Sequence, residues 1–294
     1  MKRRFWIMFS LLSVILLASA NSYGAHGEKR PEKRAILLAA FGTTVPEAQK
    51  SLDQMTDRVK QAFPGVEIRW GYTSSIVRKK LSKKEKSFDS PETALSKLMD
   101  EGYTHVAVLS LHTIPGEEFH DLYRNCRLFG QMSGGFERIM VAWPLLSSHQ
   151  DMVSVSKALI KHIPKERKPE DAVLFMGHGS EHHPADAMYP AMNQVLGDMD
   201  SNVYVATVEG HPTLEDILPK LEKKNIKKVY LMPFMAVAGD HARNDMAGDE
   251  PDSWKSVLKK KGFGCEVVLK GTADYPEVVD VWLDHLRAVF SHFK

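Results

Sequence analysis

Cysteine is scarce in this 294-residue chain: there are two, Cys126 and Cys265. They lie far apart and form no C-x-x-C pair, so the chain has no disulfide framework of the small secreted kind and no paired-cysteine zinc or redox motif. They read as two separate thiols, one on a helix and one entering a strand. A charge excess is lacking too. Lys and Arg number 39 against 37 Asp and Glu, a formal balance of +2, and Lys2, Arg3 and Arg4 account for three of the cations. The rest of the chain is close to neutral, which is not the footprint of a nucleic-acid binder. A glycine-rich phosphate loop is missing, which speaks against ATP dependence. Gly177-His178-Gly179-Ser180 places its residues in the wrong order for the G-x-S-x-G elbow, which removes a serine hydrolase.

Long apolar runs are also missing, apart from Phe5 to Ala18. That run is short for a membrane span of about 20 residues. It follows the basic Lys2-Arg3-Arg4 and precedes small residues at Ala18-Ser19-Ala20 and Ser22-Tyr23-Gly24. This three-part order is that of a secretory signal peptide. Residues 1–24 are therefore expected to be removed, with cleavage after Ala20 or Gly24, residues 25–34 forming a polar leader and the mature protein in the periplasm. No membrane span is expected after that removal; the alternative is an uncleaved N-terminal anchor.

The remaining sequence alternates apolar runs with amphipathic ones. Strands are expected at Ala35–Phe41, Glu67–Tyr72, His105–Leu111, Arg138–Trp143, Ala172–Met176, Asn202–Val208, Val229–Met235 and Glu266–Gly271. Helical spacing marks Pro46–Phe63, Glu117–Gln131, Gln150–Ile163, Ala185–Met199, Thr213–Lys224, Asp252–Lys260 and Pro276–Phe293. A further helix opens at Ser90-Pro91-Glu92, where a cap residue, a proline and an acid occur in the order a helix start favours. The strands are almost continuously apolar rather than alternating, as in parallel sheets covered on both faces. Repeated strand–helix units predict an α/β, doubly wound fold.

The pattern occurs twice. AILLAAFGTTVPEA from Ala35 resembles AVLFMGHGSEHHPADA from Ala172; EIRWGYTSS is matched by NVYVATVEGHP; HVAVLSLHTIPGEEFHDL is matched by KVYLMPFMAVAGDHARNDM. The last pairing sets Glu118 against His241. The chain thus predicts two similar halves, each with a four-stranded parallel sheet flanked by helices: an N-terminal domain at 35–147 and a C-terminal domain at 148–294. The last helix is expected to be able to reach back over the first domain, and the active-site cleft to lie between the two.

Ligands in open α/β sheets bind at the carboxyl ends of strands. Three chemically unusual residues fall there in the second half: His178 after VLFMG, Glu209 after VYVATV, and His241 after VYLMPFMAVAGD. A histidine between two glycines is a poor core filler, and a glutamate directly after an apolar run is costly to bury unpaired. Helix capping for Glu209 and a solvated loop for His241 are the plain alternatives. Two imidazoles and a carboxylate suit a divalent ion such as Co(II), Fe(II), Ni(II) or Zn(II), with positions left open. Glu118 either serves as a first-turn acid on its helix or looks across the cleft at this trio.

The motifs MGHGS at 176–180, TVEGHP at 207–212 and AGDHARNDMAGDEPDSW at 238–254 resemble the anaerobic (class II) cobaltochelatases. These insert Co(II) into sirohydrochlorin and are similar in fold to ferrochelatases. The likeness runs from about Ala35 to the C-terminus. It implies that His178, Glu209 and His241 bind the metal, that His178 also accepts pyrrole protons, and that Glu118 assists from the other domain. The export signal departs from that family, most of whose members work where sirohydrochlorin is made. His120 bears on this point: on a helix it is turned about 200° from Glu118 and should face away from the cleft. It reads as a surface histidine or as an axial haem ligand at a second surface or subunit contact, with Tyr123 and Arg124 nearby. Two functions compete: a chelatase for Co(II), with Fe(II) as a second metal, acting on sirohydrochlorin or a related tetrapyrrole; and an exported haem or metal carrier, with a homo-oligomer compatible with either.

Overall fold

The computed structural model describes residues 30–84 and 86–293. The expected signal peptide and the first half of the leader, residues 25–29, lie outside those residues. Within Glu32–Lys294 the chain forms one compact unit containing two four-stranded sheets.

The first sheet comprises β1 (Arg34–Ala40), β2 (Glu67–Tyr72), β3 (His105–Ser110) and β4 (Arg138–Ala142), in the order β2-β1-β3-β4. The second comprises β5 (Ala172–Gly177), β6 (Val203–Thr207), β7 (Lys228–Pro233) and β8 (Gly264–Val267), in the order β6-β5-β7-β8. Every pairing is parallel. The order is the same in both, so the internal repeat is a repeat of topology. The central strands are buried on both faces, as their unbroken apolar sequence requires: Ala35 to Ala39 and Ala172 to Met176 have no exposed surface.

The helices are α1 (Pro46–Ala62), α2 (Ser75–Ser82), α3 (Pro91–Asp100), α4 (Glu117–Phe129), α5 (His149–Lys161), α6 (Met188–Met199), α7 (Leu214–Lys223), α8 (Trp254–Lys260) and α9 (Pro276–Phe290). Their starts follow local chemistry. Ser90, Ser148, Thr213 and Ser253 each accept a backbone N–H of the first turn, and Asp216 returns the bond to Thr213 in a capping box. Three expectations change. The helix expected from Ala185 begins as a 3-10 turn at Pro184–Ala187, with α6 following. The last strand is β8 at Gly264–Val267 rather than Glu266–Gly271, because Phe263 and not Leu269 is the buried anchor of this edge strand. Helix α2 was not foreseen; only Val77 and Leu81 of its residues are buried, and the rest read as a solvated basic run.

The two sheets are joined by packing rather than merely by a linker. One continuous core runs from Ile36 and Leu38 of the first sheet, through Val155 and Leu159 of α5 and Trp282 and Leu286 of α9, to Val173 and Phe175 of the second. Helix α9 packs on β3 and β4 as well as on α5, burying Val278, Val279, Trp282, Leu283, Leu286 and Val289. Each such aliphatic side chain contributes about 1.5 to 3 kcal/mol.

Candidate metal centre

Three strand ends of the second half converge. Leaving β5, Gly179 adopts φ +91°, a conformation that glycine alone enters freely. It lies so close to the next loop that a Cβ there would stand 2.6 Å from Gly210 N. Glu209 N–H donates to His178 O at 2.7 Å, which fixes the acid beside the imidazole. Asp186 clamps the same two loops, accepting from Ser180 N at 2.9 Å and His211 N at 2.8 Å. The third ligand arrives at the end of the loop after β7, where the chain makes a π-helical turn at Ala242–Met246, an irregularity common at functional sites.

Ligand atoms of His178, Glu209 and His241 lie within 4.8 Å of one another, the one group of this kind among the described residues. The His178 and His241 rings stand nearly perpendicular at 85°, and His178 Nε2 is 3.9 Å from Glu209 Oε2. Both imidazoles have their Nδ1 engaged: His178 with Gly179 O at 3.0 Å, His241 with Asp245 Oδ2 at 2.6 Å. A carbonyl and a carboxylate accept only, so each ring keeps its proton on Nδ1 and presents the Nε2 lone pair to the site. This is the outer-shell arrangement that orients metal-binding histidines. All three side chains keep access to solvent, which leaves part of an ion's coordination sphere open.

The first half supplies the opposite wall. Its loop after β1 lies beside the metal loop: a Cβ on Gly239 would stand 3.6 Å from Thr43 Oγ1, and Glu47 lies 3.7 Å from Arg243. Glu118 accepts at Oε2 from Thr73 Oγ1 and from His112 Nε2, each at 3.1 Å. Burial pushes its pKa up. The bonds and charge of His112, the Thr73 hydroxyl and the charge of His178 across the cleft outweigh that, and hold the carboxyl below the ordinary glutamate value. Ser110 Oγ meets His112 Nδ1 at 2.8 Å, so Ser110, His112 and Glu118 form a chain of hydrogen bonds. The sequence placed Asp245 in the acidic loop around His241 but gave no separate role to it, to His112 or to Asp186. Asp245 lies four residues after His241, and that spacing was its one legible signal of a role.

His120 is exposed, but it has a neighbour from the second half. Its Nδ1 is bonded to Gly116 O at 2.9 Å, and its ring centroid lies 5.1 Å from that of His183, in the loop that follows His178. The helix does turn His120 away from Glu118, but the second half reaches round to meet that face. Tyr123 is exposed, and Arg124 is already paired with Asp121.

The registers show how the halves differ. Rung Ile36–Ile68–Ala107 of the first sheet corresponds to Val173–Val203–Tyr230 of the second. Counting out from these rungs, His178, Glu209 and His241 fall on Phe41, Ser74 and Glu118. Phe41 is 46% exposed, whereas Ser74 is buried and caps α2. One half therefore holds the ligands, and the other offers an aromatic ring and a carboxylate.

The chain is 45% identical over 259 residues to the sirohydrochlorin cobaltochelatase CbiKC of Nitratidesulfovibrio vulgaris, covering 88% of this chain and 91% of that one. It is 34% identical over 261 residues to the sirohydrochlorin cobaltochelatase of Salmonella typhimurium, covering 88% and 97%. In fold it resembles the sirohydrochlorin chelatase SirB of Bacillus subtilis in complex with cobalt, with a TM-score of 0.60 at 16% identity over 87% of this chain and 95% of SirB. It also resembles CbiX, described as the terminal enzyme for siroheme biosynthesis in denitrifying bacteria, with a TM-score of 0.55 at 15% identity over 87% and 99%. The family model for cobalt chelatase (CbiK) matches residues 34–291, and the chain belongs to that family.

Proposed function

We propose that this protein inserts Co(II) into sirohydrochlorin without ATP. The observation that carries the reading is the convergence of two Nε2 lone pairs and one carboxylate on a single wall of the cleft, facing an ionised carboxylate on the other. An ion held from one side keeps its other face for the macrocycle. Metallation moves the ion from the protein to the ring and releases two N–H protons. With Nδ1 of His178 tied to Gly179 O, its one lone pair is on Nε2. That nitrogen becomes a free base as the ion leaves it, when a pyrrole proton needs an acceptor. Glu118 stands ready for charge or proton on the far side. Fe(II) suits the same donor set and is the second metal of this reading.

The test is direct: loss of metal-free sirohydrochlorin absorbance under anaerobic conditions on adding Co(II), with no nucleotide. Wild type should metallate, and folded His178→Ala should be slower by at least about a hundredfold. Turnover of that variant close to wild type would remove His178 from the chemistry.

Export by residues 1–24 and a periplasmic site of action belong to the same proposal; N-terminal sequencing of the mature protein from the periplasmic fraction checks both. A second reading, an exported haem or metal carrier, rests on that signal and on His120, whose engaged Nδ1 leaves Nε2 as the atom that would hold iron. A Soret band lost in His120→Ala supports it; a colourless preparation after haem supplementation ends it.

A further inference from the structure

The two halves differ in the length of chain between their second strand and the helix that returns from it. In the second half, residues 208–213 pass from β6 to the cap of α7 and carry Glu209. In the first half the equivalent connection runs through residues 73–90 and contains α2. This added helix is rooted at the cleft. Thr73, at its base, bonds to Glu118, and the Arg78 guanidinium donates to the carbonyls of Tyr72 and Thr73, holding the helix onto the end of β2. The exposed surface of the helix and of the turn after it is basic: Lys79 and Lys80 on α2, and Lys83, Lys84 and Lys86 just beyond it, are all exposed, with Glu85 the one acid among them. Ile76, in its first turn, is 65% exposed. Cations so dense in sequence repel one another, and packing does not need them, since Val77 and Leu81 alone of the helix are buried.

Resting on the proposed function, we infer that α2 is the capture surface for the substrate's carboxylates. Sirohydrochlorin carries acetate and propionate groups around its rim, so it is a flat apolar disc with an anionic edge. The lysines of α2 meet that edge at the mouth of the cleft, while Phe41 faces the disc. A cleft lined by one sign of charge raises the local concentration of an oppositely charged ligand and its on-rate by about 10- to 1000-fold, less as salt increases. The metal wall cannot do this work: Glu209 would repel the rim, and the positive charge that the site does gain belongs to the ion.

The experiment compares wild type with a variant carrying Lys→Gln at 79, 80, 83, 84 and 86, and with a control carrying Lys→Gln at 60, 220, 223, 259 and 260. The control lysines sit in the last turns of α1, α7 and α8, at the opposite end of the sheets. Binding of metal-free sirohydrochlorin is read by quenching of tryptophan fluorescence, and initial metallation rates are measured across a salt series. The α2 variant should bind at least about tenfold more weakly, with a KM that rises and a salt dependence that flattens; the control should behave as wild type. An unchanged dissociation constant and salt slope, or an equal loss in the control, overturns the inference. Because binding is read without metal, a wild type that binds the ring but fails to metallate it would count against the proposed function and leave α2 standing.

Discussion

His112 Nε2 lies 3.1 Å from Glu118 Oε2, and the acid is held below its ordinary pKa, so the histidine is the donor. Its other nitrogen meets the Ser110 hydroxyl at 2.8 Å. Removing the imidazole by His112→Ala takes away the strongest of the influences that hold Glu118 ionised. The acid's pKa then rises, and the acid limb of the rate profile should move to higher pH. The rate itself should fall by about ten- to a hundredfold. A pH profile that stays in place would show that Glu118 ionisation is not what the rate depends on.

Asp245 accepts the Nδ1 proton of His241 at 2.6 Å. Asp245→Ala leaves the ligand in position but free to rotate and change tautomer. Co(II) affinity, read by titration of the cobalt absorption bands, should weaken by about 10- to 100-fold. The melting temperature should barely move, because the pair is partly exposed.

Gly179→Ala places a methyl against the Glu209–Gly210 backbone in a conformation alanine avoids. The expected result is a destabilisation of at least about 1 kcal/mol, together with weaker cobalt binding, since Glu209 is carried by the segment that must retreat. Cobalt affinity equal to wild type in the folded variant would show that the ligand loop does not depend on this approach.

Asp151 joins α5 to α9 through His285 Nε2 at 3.1 Å. Burial pushes its pKa up, but Ser147, Ser148 and His285 together outweigh that and hold it below the ordinary aspartate value. A carboxyl depressed in the folded state adds stability above its unfolded pKa, and that stability is lost as pH falls through the folded value. Asp151→Asn should cost about 1 to 3 kcal/mol near neutrality and flatten the acid side of the stability curve, measured by denaturant unfolding at a series of pH values.

Much of the architecture was legible because parallel strands covered on both faces must be apolar throughout, and because the repeat set two weak patterns in the same order. The metal trio was legible for a related reason: His178 and Glu209 follow buried strands almost directly, where topology leaves little choice of direction, and His241 ends the loop after a third. His112 was not, since a histidine two residues beyond a strand has no pattern that separates a relay from a surface residue. For His120, helical periodicity gave the direction of the side chain but not that His183 of the second half would stand beside it. Helix α2 was missed because a short helix with two buried residues has too little periodicity to stand out from its lysines.

The packing of α9 on β3 and β4 has a consequence for biogenesis. Those strands leave the ribosome long before the helix that seals them, so the nascent first sheet must wait with a greasy flank uncovered. A fragment stopped at Leu146 would behave as a sticky intermediate rather than a free-standing module.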